Sequence, residues 1–186
     1  MNFDRAGRRA ILGGLTALGG MQACQSHCQG LAGPPEHAPI DVGFVTEPTA
    51  SHRRSYLRIL AKCDGVRRIA VVDPTGKTAE EAKRLLGNRF VYAGKDVRQV
   101  LSSLRPALTV ITMEAQHSPA AIEEALRLKS HVLTEKPACV ERAQLNRIVD
   151  LADNHRRQLM LAMSTRSSPL IKRARALIQE NFLGKP

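Results

Sequence analysis

Chemically useful side chains stand at the ends of short apolar runs in this chain. In His131-Val132-Leu133-Thr134-Glu135-Lys136-Pro137 an apolar segment ends in an acid, a lysine and a proline, and a helix-period pattern follows. In an open parallel sheet, ligands collect beyond the carboxyl ends of the strands. A Glu135–Lys136 pair at such an end would stand over a bound substrate or cofactor, and Pro137 would stop the strand just after the lysine. Taken alone, the tripeptide reads more simply as a strand that ends in surface charge. Asp73 closes the run Ile69–Val72, where an acid can hydrogen-bond an adenosine ribose hydroxyl. Asp73-Pro74-Thr75-Gly76 is equally good turn chemistry, and both readings stand. Gly43 is placed to begin a phosphate-binding turn, but Phe44-Val45-Thr46-Glu47-Pro48-Thr49-Ala50 follows, with no G-x-G-x-x-G. Pro48 has no N–H to give, and Glu47 would set a negative charge near phosphates. Thr46, Thr49 and Ser51 can donate hydroxyl hydrogen bonds, while His52, Arg53 and Arg54 can offset the acid. A turn that binds no dinucleotide and an atypical working one both remain open.

The elements that must position these residues follow from hydrophobic periodicity. Ile40–Val45, Ile69–Val72, Phe90–Tyr92, Leu108–Thr112, His131–Thr134 and Leu159–Met163 read as strands. Helices with identifiable starts separate several of them. Thr78 with Glu81 is a capping-box pattern, and Gly87 is placed to end that helix. Asp96 with Gln99 is a second such start, ahead of Val97, Val100, Leu101 and Leu104 on one helical face. Ser118-Pro119 gives an N-cap followed by proline at the first helical position. Leu145, Ile148, Val149 and Ala152 mark the next helix, and Leu170, Ile171, Ala174, Leu177 and Ile178 a last one. Strands separated by helices imply parallel pairing with right-handed crossovers. The expected fold is therefore α/β, a doubly wound parallel sheet in the order 3-2-1-4-5-6, with Gly43, Asp73, Thr112 and Lys136 near its carboxyl edge.

Composition bounds the rest. The 186 residues suit one domain with at most the stub of a second. Hydrophobic residues make up 43% and aromatics only 3%, with no Trp, so the core is aliphatic. The formal net charge of +11 favours anionic partners. The basic residues are scattered over helices without interleaved aromatic platforms or zinc-finger spacing, which argues against nucleic acid. Residues 1–30 read as a targeting segment: Arg8-Arg9 precedes an uncharged run from Ala10 to Ala23, too short to span a bilayer. The arginine pair resembles a twin-arginine export signal, which implies a periplasmic destination. Met21-Gln22-Ala23-Cys24 loosely resembles a lipoprotein box, in which Cys24 would carry a membrane anchor. Residues 31–39 read as a linker. Four cysteines, Cys24, Cys28, Cys63 and Cys139, form no disulfide framework, and Cys24-His27-Cys28 has no second ligand pair, so no metal is expected.

Glu135-Lys136-Pro137 closely resembles the Glu-Lys-Pro motif of the glucose–fructose oxidoreductase / inositol dehydrogenase (Gfo/Idh/MocA) family of nicotinamide-dependent enzymes. Thr112-Met113-Glu114-Ala115-Gln116-His117 resembles that family's Thr-Pro-Asn-x-x-His loop: Thr112 and His117 match, while Met113 and Glu114 replace the proline and asparagine. Ser164-Thr165-Arg166 looks like its Asn-x-Arg stretch, and Asp73, at the end of the second strand, lies about as far from the first glycine, Gly43, as the family places an acid. The resemblance covers residues 40–186. It implies a Rossmann-like dinucleotide-binding domain over 40–165, followed at 166–186 by the connection to a C-terminal domain that this chain does not contain. It further implies NAD or NADP as cofactor, a sugar or polyol substrate, and hydride transfer with Lys136 near the reacting carbinol. Glu135 would orient Lys136 or contact the ribose, and Gly43, Thr112 and His117 would contact cofactor. The departures at Thr46–Ala50 lead to an expectation of weak or lost cofactor binding and an inactive truncated chain. A non-catalytic, lipid-anchored binding or scaffold protein with a degenerate cofactor loop is the alternative. Substrate identity, NAD against NADP and oligomeric state have no sequence signal.

Overall fold

The computed structural model describes residues 38–182 and 184. The export segment, Cys24, His27 and Cys28 lie outside the described residues. Ile40–Thr46 forms β1, and every residue of it from Asp41 onward is buried. Such a run, apolar on both faces, belongs in the middle of a parallel sheet covered by helices on both sides. The order is α1 (Arg53–Lys62), β2 (Val66–Val72), α2 (Ala79–Leu86), β3 (Phe90–Gly94), α3 (Val97–Leu104), β4 (Leu108–Thr112), α4 (Ser118–Arg127), β5 (His131–Thr134), α5 (Arg142–Asn154), β6 (Leu159–Leu161) and α6 (Pro169–Gln179). The sheet has six strands in the order β3-β2-β1-β4-β5-β6, as the alternation of strand and helix predicts. Every adjacent pair is parallel.

Two aliphatic cores form because alternate strand residues point to opposite faces. Val42, Phe44, Ile69, Val71 and Val110 pack on one side against Leu57, Leu60 and Leu86 of α1 and α2. Val45, Ala70, Val72 and Ile111 pack on the other against α3, α4 and α5 through Val100, Leu101, Ile122, Leu126 and Ile148. Each fully buried Leu, Ile or Phe of this set contributes about 1.5–3 kcal/mol. No residue of α6 is buried, so the last helix adds little to either core.

Local expectations fared unevenly. Asp96 caps α3, accepting a hydrogen bond from the Gln99 N–H at 2.7 Å. Gly87 ends α2 with φ 55°, a conformation that suits glycine. The capping box at Thr78 does not form: Thr78 makes no side-chain cap, and its buried Oγ1 has no partner among the described residues. Glu81 is instead drawn to Arg53 and Arg54 of α1. Ser118 is the first residue of α4, and its hydroxyl donates back to the Met113 and Glu114 carbonyls rather than capping the helix. β2 begins at Val66, earlier than the apolar run suggests, because Arg67 and Arg68 both fold onto Asp41 of β1. Among the described residues, no helix is long and apolar enough to cross a membrane, and no group of three or more His, Cys, Asp or Glu could hold a metal.

Candidate functional site

The parallel register brings the strand ends into line. Val45 pairs with Val72, Thr46 with Thr112, and Ile111 with Thr134, so the residues after β1, β2, β4 and β5 share one edge. Thr112 stands there as expected. Its hydroxyl turns toward β1 and donates to Thr46 Oγ1 at 2.9 Å, and both threonines are buried. This pair fastens the two central strands at the point where their loops diverge.

Gly43 departs from the expectation. It lies inside β1, paired with Ala70 and Thr109, and not in the turn. A Cβ there would stand 2.4 Å from Leu101 Cδ2, so glycine is needed for α3 to pack on the sheet. The turn itself starts after Thr46 and carries Glu47, Pro48, Thr49, Ala50, Ser51 and His52.

Glu47 is buried at 8% exposure between that turn and the loop after β4. Its carboxylate accepts the Glu114 N–H at 2.6 Å and faces His117 Nδ1 at 2.8 Å. An ionised carboxylate only accepts, so Nδ1 carries the proton. His117 is thus held at the edge by Glu47. The cations expected to offset this acid are engaged elsewhere. Arg53 donates to the Glu47 and Pro48 carbonyls and, like Arg54, pairs with Glu81. The paired guanidiniums, Arg53 first, hold the Glu81 carboxyl below its usual range despite burial. His52 faces Glu135 at 3.2 Å.

Asp73 follows β2 and is 2% exposed. Its Oδ1 accepts from the Thr75 N–H and hydroxyl, both at 2.9 Å, and its Oδ2 from the Thr78 N–H at 2.8 Å. Burial pushes this carboxyl up, but the hydrogen bonds from Thr78 and Thr75 outweigh it and the net shift is downward. Beside the turn opens a cleft of about 930 Å³, walled by Pro74, Thr75, Lys95, Met113, His117 and Ala120 among others.

Glu135 and Lys136 occupy the other half of the edge. Glu135 Oε1 accepts from the Tyr56 hydroxyl at 3.0 Å, and its Oε2 accepts from the Lys136 N–H at 3.0 Å. Burial raises the Glu135 pKa, and the Lys136, Tyr56 and His52 donors bring it to a net lowering. Burial and the Glu135 contact push the Tyr56 hydroxyl up to about 12. Glu135 is therefore held by α1 and by the Lys136 backbone, while the Lys136 side chain is exposed rather than buried. Both residues line two smaller clefts, one of about 190 Å³ with Ser51, Thr112 and Pro137, the other of about 270 Å³ with Tyr56, Ala162 and Ser164.

Sequence reasoning missed Tyr56 and Lys95, which lie in a helix and a loop with no motif around them. It also missed the partners of Glu47, which are contributed from 67 and 70 residues away. A nicotinamide dinucleotide fits this edge in its donor set. The large cleft beside Asp73 offers an adenosine-sized space, and the clefts at Glu135–Lys136 offer a second. The buried Glu47 carboxylate is opposed to the phosphates.

Comparison with known proteins agrees with this geometry. Residues 39–163 match the family model described as oxidoreductase family, NAD-binding Rossmann fold. A curated relative, D-xylose 1-dehydrogenase [NADP(+)] of Haloarcula marismortui, is 38% identical over 82 residues, covering 43% of this chain and 22% of the relative. Among solved structures, scyllo-inositol dehydrogenase from Lactobacillus casei with bound NAD(H) and scyllo-inositol superposes with a TM-score of 0.68 at 19% identity, over 79% of this chain and 43% of that one. The super-repressor mutant of Gal80p from Saccharomyces cerevisiae superposes with a TM-score of 0.66 at 22% identity, over 80% of this chain and 41% of that one. The chain thus spans less than half the length of the relatives it matches. At these identities the solved structures speak for the fold, and the match over residues 39–163 for the family: the chain belongs to the Gfo/Idh/MocA oxidoreductase family with an NAD-binding Rossmann fold.

Proposed function

We propose that this chain is the dinucleotide-binding domain of an exported NAD(P)-dependent oxidoreductase that acts on a sugar or polyol. The observation that carries the reading is the meeting of Thr112, Glu135 and Lys136 with the Asp73 turn along one carboxyl edge. The relatives named above, a xylose and an inositol dehydrogenase, support the substrate class. When bound, the nicotinamide would supply the hydride exchange. Thr75, Lys95 and His117 would hold the adenosine half, and Ser51, Glu135 and Lys136 the other. Lys136 places an ammonium group where an alcohol proton departs, lowering that proton's pKa and stabilising the oxyanion. An exposed ammonium does this poorly, so the role requires a surface that covers Lys136 and excludes water. The Arg8-Arg9 pair supports export by a route that carries folded cargo, so that cofactor could be loaded beforehand.

Glu47 supports a second reading, a non-catalytic binding protein on the same fold. Its buried carboxylate opposes phosphates in a turn that lacks G-x-G-x-x-G, and a repressor shares the architecture. The loss of two hydrogen bonds to charged oxygens would cost about 3–6 kcal/mol, at roughly 1.5–3 each. That turns a micromolar site into a millimolar one or weaker. Calorimetric titration of the chain with NAD and NADP tests the proposal. Weak, saturable binding is expected, with no sugar oxidation by the chain alone. Absence of binding at millimolar cofactor would leave the non-catalytic reading, and micromolar affinity would show that Glu47 is no obstacle.

A further inference from the structure

We propose that the adenosine end of this site selects a 2′-phosphate, so that the chain prefers NADP to NAD; the proposal rests on the dinucleotide reading above. In sites of this fold that accept NAD, an acid after the second strand hydrogen-bonds the free ribose hydroxyl, and a nearby cation accommodates the 2′-phosphate of NADP. Asp73 is that acid by position, but it is not free to do this work. Its oxygens already accept three hydrogen bonds from Thr75 and Thr78, and its side chain is buried under its own turn. The Thr75 hydroxyl is engaged as well, donating to Asp73 and accepting the Lys77 N–H at 3.2 Å. A ribose hydroxyl arriving here would have to compete with the three hydrogen bonds already made to the Asp73 carboxylate.

What the turn does present is cationic. Gly76 has φ +74°, and a Cβ at this position would stand 2.9 Å from Lys95 Cε and 3.7 Å from Lys95 Nζ. The absence of that Cβ lets the Lys95 side chain lie across the turn, where it forms part of the cleft wall beside Pro74 and Thr75. Lys77 follows on the same turn and is exposed. Neither lysine has an acid partner among the described residues, whereas every acid that lines the cleft is occupied. Asp96 accepts from Gln99 N–H, Glu124 pairs with Arg98, and Glu47 with His117. Unpaired ammonium groups over a glycine turn suit a compact dianion better than a neutral diol.

The test uses the full chain and small probes that separate the two ends of the cofactor. Adenosine 2′-monophosphate and adenosine 5′-monophosphate are titrated by calorimetry and by NMR shifts, alongside NADP and NAD. The 2′-phosphate is expected to tighten binding by at least about tenfold, or roughly 1.4 kcal/mol. Because the lysines are exposed, the margin should narrow between low and high salt. Lys95→Gln should remove most of the margin while leaving thermal stability unchanged, and Lys77→Gln should remove part of it. Equal affinity for the two monophosphates, tighter binding of the 5′ isomer, or a margin that survives in the Lys95→Gln, Lys77→Gln double variant would overturn the inference alone. Failure of all four ligands to bind would overturn the dinucleotide reading together with it.

Discussion

Glu47 and His117 join the turn after β1 to the loop after β4, with Oε2 and Nδ1 2.8 Å apart, and the same carboxylate accepts the Glu114 N–H. The two loops that elsewhere in this fold part around a dinucleotide are here tied to each other by a charge-assisted contact.

Glu47→Gln should loosen that restraint without changing its shape. The amide oxygen still accepts the Glu114 N–H, but the negative charge is gone. Like charges a few ångströms apart repel substantially even at an effective dielectric of about 20. A gain in dinucleotide affinity of roughly tenfold, about 1.4 kcal/mol, is therefore expected by calorimetry. Weaker hydrogen bonding should cost about 1 kcal/mol of folding stability by urea titration. Unchanged or poorer binding would show that the carboxylate does not face the phosphates.

Acid should unfold the chain through identifiable groups. Asp41, Asp73, Glu81 and Glu135 all have carboxyl pKa values lowered in the folded state, Asp41 chiefly by Arg68 and Arg67. A lowered folded pKa contributes stability that is present above the ordinary value and lost as pH falls through the folded one. The urea midpoint should thus decline steadily once pH drops below the ordinary 4.5 of Glu81 and Glu135 and the 3.8 of Asp41 and Asp73. Tyr56 acts at the other extreme. Its pKa is raised from 10.0 to about 12, so its contribution is complete below 10.0 and disappears as pH rises through about 12. Tyr56→Phe should abolish that alkaline component and raise the Glu135 pKa, which carboxyl NMR reads directly.

Gly43→Ala should destabilise by about 1–3 kcal/mol, because its Cβ would overlap the fully buried Leu101. Dinucleotide affinity should stay the same, since Gly43 lies inside β1. At Gly65 an added Cβ would meet nothing within 4 Å, so its alanine variant is a control that should stay within about 0.5 kcal/mol of the parent. A large affinity loss in Gly43→Ala would return that glycine to the cofactor turn.

Exchange of Arg8-Arg9 for Lys-Lys should retain the protein in the cytoplasm of a host with a twin-arginine route, as judged by fractionation. Undiminished periplasmic delivery would refute the export assignment.

The sheet was legible in the sequence because β1, β4 and β5 are short apolar runs bounded by polar residues, and because each is followed by a helix-period segment. Features decided by residues close in sequence also came through, such as Asp96 capping α3 and Gly87 ending α2. Those decided across the chain did not. Glu81 had a local role available at Thr78, but two arginines of α1 offered a stronger electrostatic partner. The start of β2 was hidden because Arg67 and Arg68 look like loop residues until Asp41 is set beside them. Gly43 was the glycine nearest to a turn, yet what selects it is a leucine on α3. At the site, Glu135-Lys136-Pro137 announced itself as a motif, whereas Tyr56, which holds Glu135, carries no local signal at all.

The sheet is unevenly anchored, and this sets where it opens first. β1 lies between two strands, with Val42, Phe44 and Val45 fully buried. β6 is a three-residue edge strand whose Met160 is 62% exposed, and α6, which follows it in the chain, buries no side chain. Amide protons of Leu161 and Ala162 should then exchange with solvent by fraying of the edge alone, while those of Val42 to Val45 wait for global unfolding. A protein clipped by protease after Asn154 should, on the same grounds, keep its central strands protected.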